Sequence, residues 1–348
     1  MMLKALSEAA GVSGQEDAVR DLILKAISPH VSDLQIDTMG NILAKQPGMD
    51  ATNRPRVMLA AHMDEVGFLV TGYDSDGLLQ FDSVGGIDDR ILPGLQMRIG
   101  QTGLPGVVLW TPIHKNRDQN VTKMDSLRID IGATSKADAQ AKAPLGTMIV
   151  FDSHYRQHGN LIGGKAFDDR AGCAVLIDVL QAGPYPVDVL VAFTVQEEVG
   201  LRGAQVATRA LQPDIAFSLE CTTAHDLPDP AADPDDLINT PNPTARLGHG
   251  PALTVMDRSV MVNPALLDFM RQTAEAAGIP YQLKTRRGGG NDAGQISLQG
   301  GGVPAATISI PARYIHSPAA LLSPADYDAT VELVQQLLDQ IQAVPIIG

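Results

Sequence analysis

Apolar residues recur along this chain with two different periods, and the places where the period changes divide it. Near the start, Ser13-Gly-Gln-Glu16 has the spacing of a helix capping box, and Val19, Leu22, Ile23 and Ile27 follow at helical intervals until Pro29 stops the run. Strand-like segments come next at 33–37, 41–44 and 56–60. From about residue 65 to residue 160 the texture becomes short β-type pieces bounded by Gly and Pro, such as 77–81, 94–100 and 106–110. That spacing predicts a small β-domain of barrel type.

After Gly163-Gly164 helices and strands alternate. Helical patterns cover 169–182, 203–211, 264–278, 291–298 and 324–343, and strand patterns cover 187–195, 214–220, 281–284 and 305–310. Alternation of this kind predicts an α/β fold, a mixed sheet sandwiched by helices. The β-rich stretch is then an insertion, with 1–64 and 161–348 forming one discontinuous domain and 65–160 the inserted one.

Composition narrows the class of function. The chain of 348 residues is 44% hydrophobic and 19% charged, which suits a globular protein with a sizeable core. No run reaches the roughly 18 apolar residues of a membrane span, and the opening Met-Met-Leu-Lys-Ala-Leu-Ser-Glu lacks the apolar stretch of a secretory signal. A cytoplasmic protein is the expectation. A net charge of −14 disfavours nucleic acid, and the short basic stretch Lys284-Thr-Arg-Arg287 is too small to reverse it. Cys173 and Cys221 belong to no CxxC cluster, so no disulfide framework is expected.

Candidate chemistry gathers where apolar strands stop. His62 and Asp64 follow the strand pattern 57–61, Glu197 and Glu198 follow the one ending near Val195, and Glu220 ends 215–219. His316 follows 307–311 by a short loop, and Asp168-Asp169 opens a helix. Each has an ordinary reading taken singly: a packed histidine, a helix N-cap, a solvated strand end, an ion pair with Arg. Together they lie at the carboxyl ends of strands, where ligands bind in open α/β sheets. Buried carboxylates also need compensating charge. Two His with several carboxylates form an oxygen and nitrogen donor set suited to Zn²⁺, Co²⁺ or Mn²⁺. The set exceeds the roughly three protein ligands of one catalytic zinc, so two ions sharing a carboxylate account for it better. His30, His114, His154, His158, His225 and His249 lack such a setting and read as structural or surface residues.

Four motifs then match a known family. Ala61-His-Met-Asp-Glu-Val-Gly67, Gly164-Lys-Ala-Phe-Asp-Asp-Arg170, Gln196-Glu-Glu-Val-Gly-Leu-Arg-Gly203 and Pro311-Ala-Arg-Tyr-Ile-His-Ser317 resemble the tetrahedral (TET) aminopeptidases. These are dinuclear metallopeptidases that include glutamyl and deblocking aminopeptidases, some once labelled endoglucanases. The resemblance spans nearly the whole chain. It implies a zinc-peptidase-like domain with an inserted β-barrel or PDZ-like domain, acting on short peptides and assembling as a homododecamer. Carried over by position, it implies that His62, Asp168 and Glu220 bind one metal ion and Asp168, Glu198 and His316 the other. It further implies that Glu197 is the general base and that Asp64 accepts a hydrogen bond from the second nitrogen of His62. The peptide after the bridging Asp is often cis in such enzymes. Glu220 stands where many relatives have Asp, and Gly288-Gly-Gly-Asn-Asp-Ala-Gly294 resembles a Gly-rich stretch near the family's site, either a substrate contact or a turn.

Three other readings compete with the aminopeptidase. A dinuclear deacylase would take N-acyl amino acids, and a non-catalytic scaffold would keep the fold alone. A glycosidase with Glu197 and Glu198 as its acid and base is opposed by the expectation that neighbours on a strand point to opposite faces.

Overall fold

The computed structural model describes residues 2–49, 54–110, 114, 121–227, 245–285 and 288–341. Its larger sheet begins with β1 (Ser32–Ile36), β2 (Ile42–Gln46) and β3 (Arg56–His62). The chain then leaves to build β4 (Gly67–Tyr73), β5 (Leu79–Val84), β6 (Gln96–Ile99), β7 (Leu104–Val108), β8 (Ile129–Asp130) and β9 (Met148–Phe151), which close into a barrel in the order β4-β5-β8-β7-β6-β9. It returns through β10 (Arg156–His158), β11 (Leu161–Gly164), β12 (Asp188–Thr194), β13 (Ile215–Thr223), β14 (Ala252–Thr254), β15 (Gln282–Lys284), β16 (Ala305–Arg313) and β17 (Ala320–Leu322). The fold is a mixed sheet with helices and an inserted antiparallel barrel of six strands.

The heart of the sheet is the parallel run β12-β3-β13-β16. Every residue of β12 is buried, as the near-continuous apolar sequence of a strand covered on both faces requires. The register sets Thr194 of β12 beside His62 of β3, so polar groups that follow these strands emerge at one edge.

Helices α1 (Met2–Glu8), α2 (Asp17–Ile27), α3 (Lys136–Lys142), α4 (Phe167–Ala182), α5 (Arg202–Leu211), α6 (Pro264–Ala277), α7 (Asp292–Ser297) and α8 (Pro324–Gln340) complete the described chain. α4 is the central one, buried along most of its length against β3 and β13 and flanked by α1, α2 and α8. α5 and α7 form a second group, and the buried Ala204, Ala207, Thr208 and Leu211 of α5 recur at helical spacing. The barrel has its own core, in which Phe68 meets Phe81 and Phe151 edge-to-face at 5.2 and 5.8 Å.

Several expectations shift. The helix expected from Ser13 starts at Asp17, its N-cap is Glu16, and no side chain caps it; the Ser13 hydroxyl has been recruited by Asp64 instead. Glu220 does not end its strand, because pairing with β16 carries β13 on to Thr223. Glu197 and Glu198 lie beyond β12 in a turn rather than on a strand, so they need not point apart. The short strands β10, β11, β14 and β17 and helix α3 carry too few residues to show a period. The terminal helix ends at Gln340, and residues 342 and 343 of its expected span lie outside the described residues. So do Arg286 and Arg287 of the basic stretch and Pro228 of the family-like segment after Glu220.

Candidate metal centre

One strand end, one strand interior, the first turn of a helix and two loops build the site. β3 delivers His62 as its last residue and Asp64 just beyond, both buried. Asp168 sits in the first turn of α4, where it and Asp169 depart from helical dihedrals and are joined by a cis peptide bond. After β12 the chain takes a left-handed residue, Gln196 at φ 57°, which turns Glu197 and Glu198 into the site. Uncommon backbone of this kind in a non-glycine residue clusters at functional sites. Glu220 projects from within β13, and its Oε1 accepts a hydrogen bond from Ser218 at 2.9 Å. His316 follows β16 with φ 60°.

All seven sequence-predicted residues come together. His62 Nε2 lies 3.5 Å from Asp168 Oδ1, 3.7 Å from Glu220 Oε2 and 3.9 Å from Glu197 Oε2. His316 Nε2 lies 3.3 Å from both Asp168 Oδ2 and Glu198 Oε1. Among the described residues, three sets have donor atoms within 4.8 Å of one another: His62 with Glu197 and Glu198, His62 with Asp168 and Glu220, and Asp168 with Glu198 and His316.

The hydrogen bonds on the far side of each imidazole decide what the near side can do. His62 Nδ1 is 3.0 Å from the Asp64 carbonyl oxygen, and His316 Nδ1 is 2.8 Å from the Gly86 carbonyl oxygen. A carbonyl accepts only, so each Nδ1 donates its proton and each Nε2 of a neutral ring presents a lone pair. Those lone pairs face carboxylate oxygens that are also acceptors. Glu198 Oε1 is buried and has no hydrogen-bond donor. Such a ring of converging acceptors is satisfied by cations, either a second proton on each ring or metal ions. The residues fit the metal: imidazole nitrogen and carboxylate oxygen donors converge, and each ring is oriented by a backbone carbonyl.

The electrostatics say the same. Burial first, then repulsion from Asp292 and Asp168, pushes Glu220 up to about 8 despite His62. Burial also pushes Glu197 well above the ordinary carboxylate range, with Glu220, Asp292 and Glu198 adding to it. Burial opposes protonation of His316, but Asp168 and Glu198 outweigh it and raise the ring to about 11. Asp168 goes the other way: although buried, it is held low by His316 and His62.

Asp64 differs from expectation in its partner. The nitrogen of His62 that it was to receive meets its carbonyl oxygen, while its carboxylate Oδ1 stays 3.5 Å from that nitrogen. The carboxylate accepts instead from the amides of Glu197 at 3.0 Å and Glu198 at 3.2 Å and from the Ser13 hydroxyl at 2.5 Å.

Other residues join the site in ways the sequence did not show, two of them, Asp169 and Asp292, having been named there without a role of their own. Asp169 accepts from the His62 amide at 3.2 Å and the Gly172 amide at 3.0 Å, tying β3 to α4. Asp292, at the start of α7, takes the Thr194 hydroxyl at 2.5 Å while its Oδ1 is buried without a hydrogen-bond partner; it lies within the Gly-rich stretch 288–294 that the sequence singled out as a substrate contact or a turn. His225, set aside as structural or surface, lines a cavity of about 490 Å³ beside Glu197, Glu220, Lys284 and Asn291. The Gly86 carbonyl, from the barrel segment, has no side-chain signature at all.

A mixed α/β sheet here carries a paired histidine and carboxylate centre whose donor set suits metal ions. Residues 40–333 match the M42 glutamyl aminopeptidase family. A glutamyl aminopeptidase of Lactococcus lactis subsp. cremoris is 33% identical over 338 residues, covering 93% of this chain and 91% of that protein. An aminopeptidase structure from the archaeon Desulfurococcus kamchatkensis is 34% identical with a TM-score of 0.90, over 99% of this chain and 94% of that one. The TET1 peptidase of Pyrococcus horikoshii, which can assemble into a tetrahedron or a large octahedral shell, is 31% identical with a TM-score of 0.84, over 97% and 98%. The chain belongs to the M42 glutamyl aminopeptidase family and is an aminopeptidase of that metallopeptidase class.

Proposed function

We propose that this chain removes N-terminal residues from short peptides at a dinuclear metal centre. One observation carries the reading: two imidazoles, each with Nδ1 committed to a carbonyl, aim Nε2 at the two different oxygens of Asp168. His62, Asp168 and Glu220 would hold one divalent ion and Asp168, Glu198 and His316 the other, with Asp168 shared. The donor set suits Zn²⁺ or Co²⁺ and accommodates Mn²⁺. When bound, such ions lower the pKa of a water and polarise the scissile carbonyl.

Glu197 is the general base: it takes the proton of the attacking water and returns it to the leaving nitrogen. Asp64 anchors the amides of Glu197 and Glu198 and so fixes where the base stands. The cavity of about 490 Å³ takes the first residue of the peptide beside Glu197. A groove of about 1100 Å³ shares Ile315 and His316 with that cavity and takes the rest of the peptide.

Segment 65–160 serves as an assembly and access domain on the catalytic unit of 1–64 and 161–348, and the chain forms a homododecamer. The shell-forming TET1 relative supports this, and light scattering that found a stable monomer would overturn it. A cytoplasmic location is part of the same reading, in keeping with two free buried thiols.

Hydrolysis of aminoacyl-p-nitroanilides and their N-acetylated counterparts, after chelation and after return of Zn²⁺, Co²⁺ or Mn²⁺, tests the activity. Metal-restored cleavage of free-amine substrates alone is the expected result. Cleavage of only the acetylated set would make the chain a deacylase, and no cleavage with any metal would make it a scaffold. The glycosidase reading is disfavoured because it leaves His62 and His316, which both face Asp168, without a role.

A further inference from the structure

Asp64 is fully buried and has no Lys or Arg partner among the described residues. Its charge is held by His62 and by hydrogen-bond donors alone: the amides of Glu197 and Glu198, and one side-chain hydroxyl, Ser13, at 2.5 Å. Ser13 lies 51 residues earlier in the chain. Its placement is fixed by a separate buried ion cluster. Glu65 receives Lys165 Nζ at 2.6 and 2.7 Å and Arg170 Nη2 at 3.2 Å, and all three side chains are nearly inaccessible. Arg170 also donates to the carbonyls of Leu6, Ala9, Gly11 and Met63, while Lys165 donates to Ala9. Gly11 and Glu65 then exchange hydrogen bonds at 3.0 and 3.2 Å, and Val12 pairs with Glu65 as a parallel bridge.

We infer that Ser13 is a positioning residue of the catalytic centre, locking the Asp64 carboxylate in the orientation that holds the Glu197 and Glu198 amides. The geometry gives the reason. Ser13 and the Glu198 amide share Oδ2, while Oδ1 faces the Glu197 amide and the His62 ring. Without the hydroxyl, Oδ2 keeps only a contact of 3.2 Å, and rotation about the bond to the carboxylate is no longer opposed by a strong charge-assisted partner. The turn carrying the base then loosens. Loss of such an outer partner at a metal site typically costs about 10–100-fold in metal affinity or activity.

This inference rests on the proposed role of Glu197, so its test includes two readouts that need no catalysis. The full chain, loaded with Zn²⁺, is compared with Ser13→Ala and Ser13→Thr by kcat and KM on a free-amine substrate, by Zn²⁺ retention against a chelator, and by hydrogen exchange at the 197 and 198 amides. The expected result for Ser13→Ala is a fall in kcat of about 10-fold with KM within about 2-fold, easier loss of Zn²⁺ and faster exchange confined to that turn. Ser13→Thr, which keeps the hydroxyl, restores all three. Exchange and Zn²⁺ retention unchanged in Ser13→Ala would overturn the inference, as would faster exchange throughout the protein with a lowered Tm that Ser13→Thr fails to correct. A wild-type protein that cleaves nothing would refute the functional reading and leave exchange and Zn²⁺ retention to decide on Ser13.

Discussion

The carboxyl edge of the main sheet and the inserted barrel follow the same rule of apolar burial and arrive at opposite products. In the sheet, strands with apolar interiors stop abruptly, and charged residues crowd the edge where they stop. In the barrel, closure leaves no strand edge to occupy, and a mainly aliphatic core packed around the Phe68, Phe81 and Phe151 rings fills the interior. The sheet edge is rich in ionisable groups that need an outside partner, whereas the barrel is complete in itself. Yet the barrel reaches the site through its backbone, since the Gly86 carbonyl sets the proton on His316. Side chains supply the chemistry and a neighbouring domain supplies part of the aim.

The largest effect should come from the residue that both histidines face. Asp168→Ala removes the oxygens lying 3.5 Å from His62 and 3.3 Å from His316, so the protein should lose both ions and all hydrolysis; metal analysis of the purified variant checks it. Full metal content in that variant would break the idea of a shared carboxylate. Glu197→Gln should keep its ions and lower kcat by about 10²–10⁴-fold, the usual contribution of a general base, with steady-state kinetics as the measurement. A loss of metal equal to the loss of rate would make Glu197 a ligand instead, in line with the His62, Glu197 and Glu198 set.

How much of this was written in the sequence follows the same division. The parallel core was legible because five of the seven buried residues of β12, Val189 to Phe193, form one apolar run, and the site was legible because His62, Glu197 and His316 follow such runs. The barrel was legible as a texture of short strands between Gly and Pro, but its contact with the site was not, since a carbonyl belongs to every residue. Ser13 shows the opposite failure. Its spacing to Glu16 satisfies a local capping rule, yet a buried carboxylate reached by tertiary folding bids more strongly for the hydroxyl than exposed helix amides do. Asp169 hid behind Asp168, because nothing in a pair of like residues tells which one turns toward a strand amide.

Two smaller effects sharpen the comparison. Gly85, at φ 81°, has room for no side chain, since an added Cβ would come 2.7 Å from Val66 Cγ1 and 3.2 Å from Glu198 Cβ. Gly85→Ala should therefore displace the barrel tip from His316 and lower kcat by about 10-fold. Gly132→Ala is the matched control, because Gly132 has φ 67° with nothing within 4 Å of an added Cβ; it carries a similar backbone penalty and should leave kcat unchanged. Equal kinetic losses in the two variants would mean that the barrel matters only through stability.

The smallest effect lies behind His316, where Asp226 grips Arg313 at the end of β16 through bonds of 2.7 and 2.9 Å. Burial works against the Asp226 carboxylate, but Arg313 and the Leu247 amide hold its pKa below the ordinary value. Because the folded pKa is the lower one, the unfolded chain takes up the proton first as pH falls. The stabilisation is thus complete above the unfolded value of about 3.9 and disappears as pH drops through the folded one. Asp226→Asn should cost about 1–2 kcal/mol at pH 7 for a partly exposed charged hydrogen bond. Its urea midpoint should also fall less steeply than that of the wild type between about pH 5 and pH 3. Parallel midpoint curves for the two proteins would show that the pair orients the strand before His316 without contributing to acid stability.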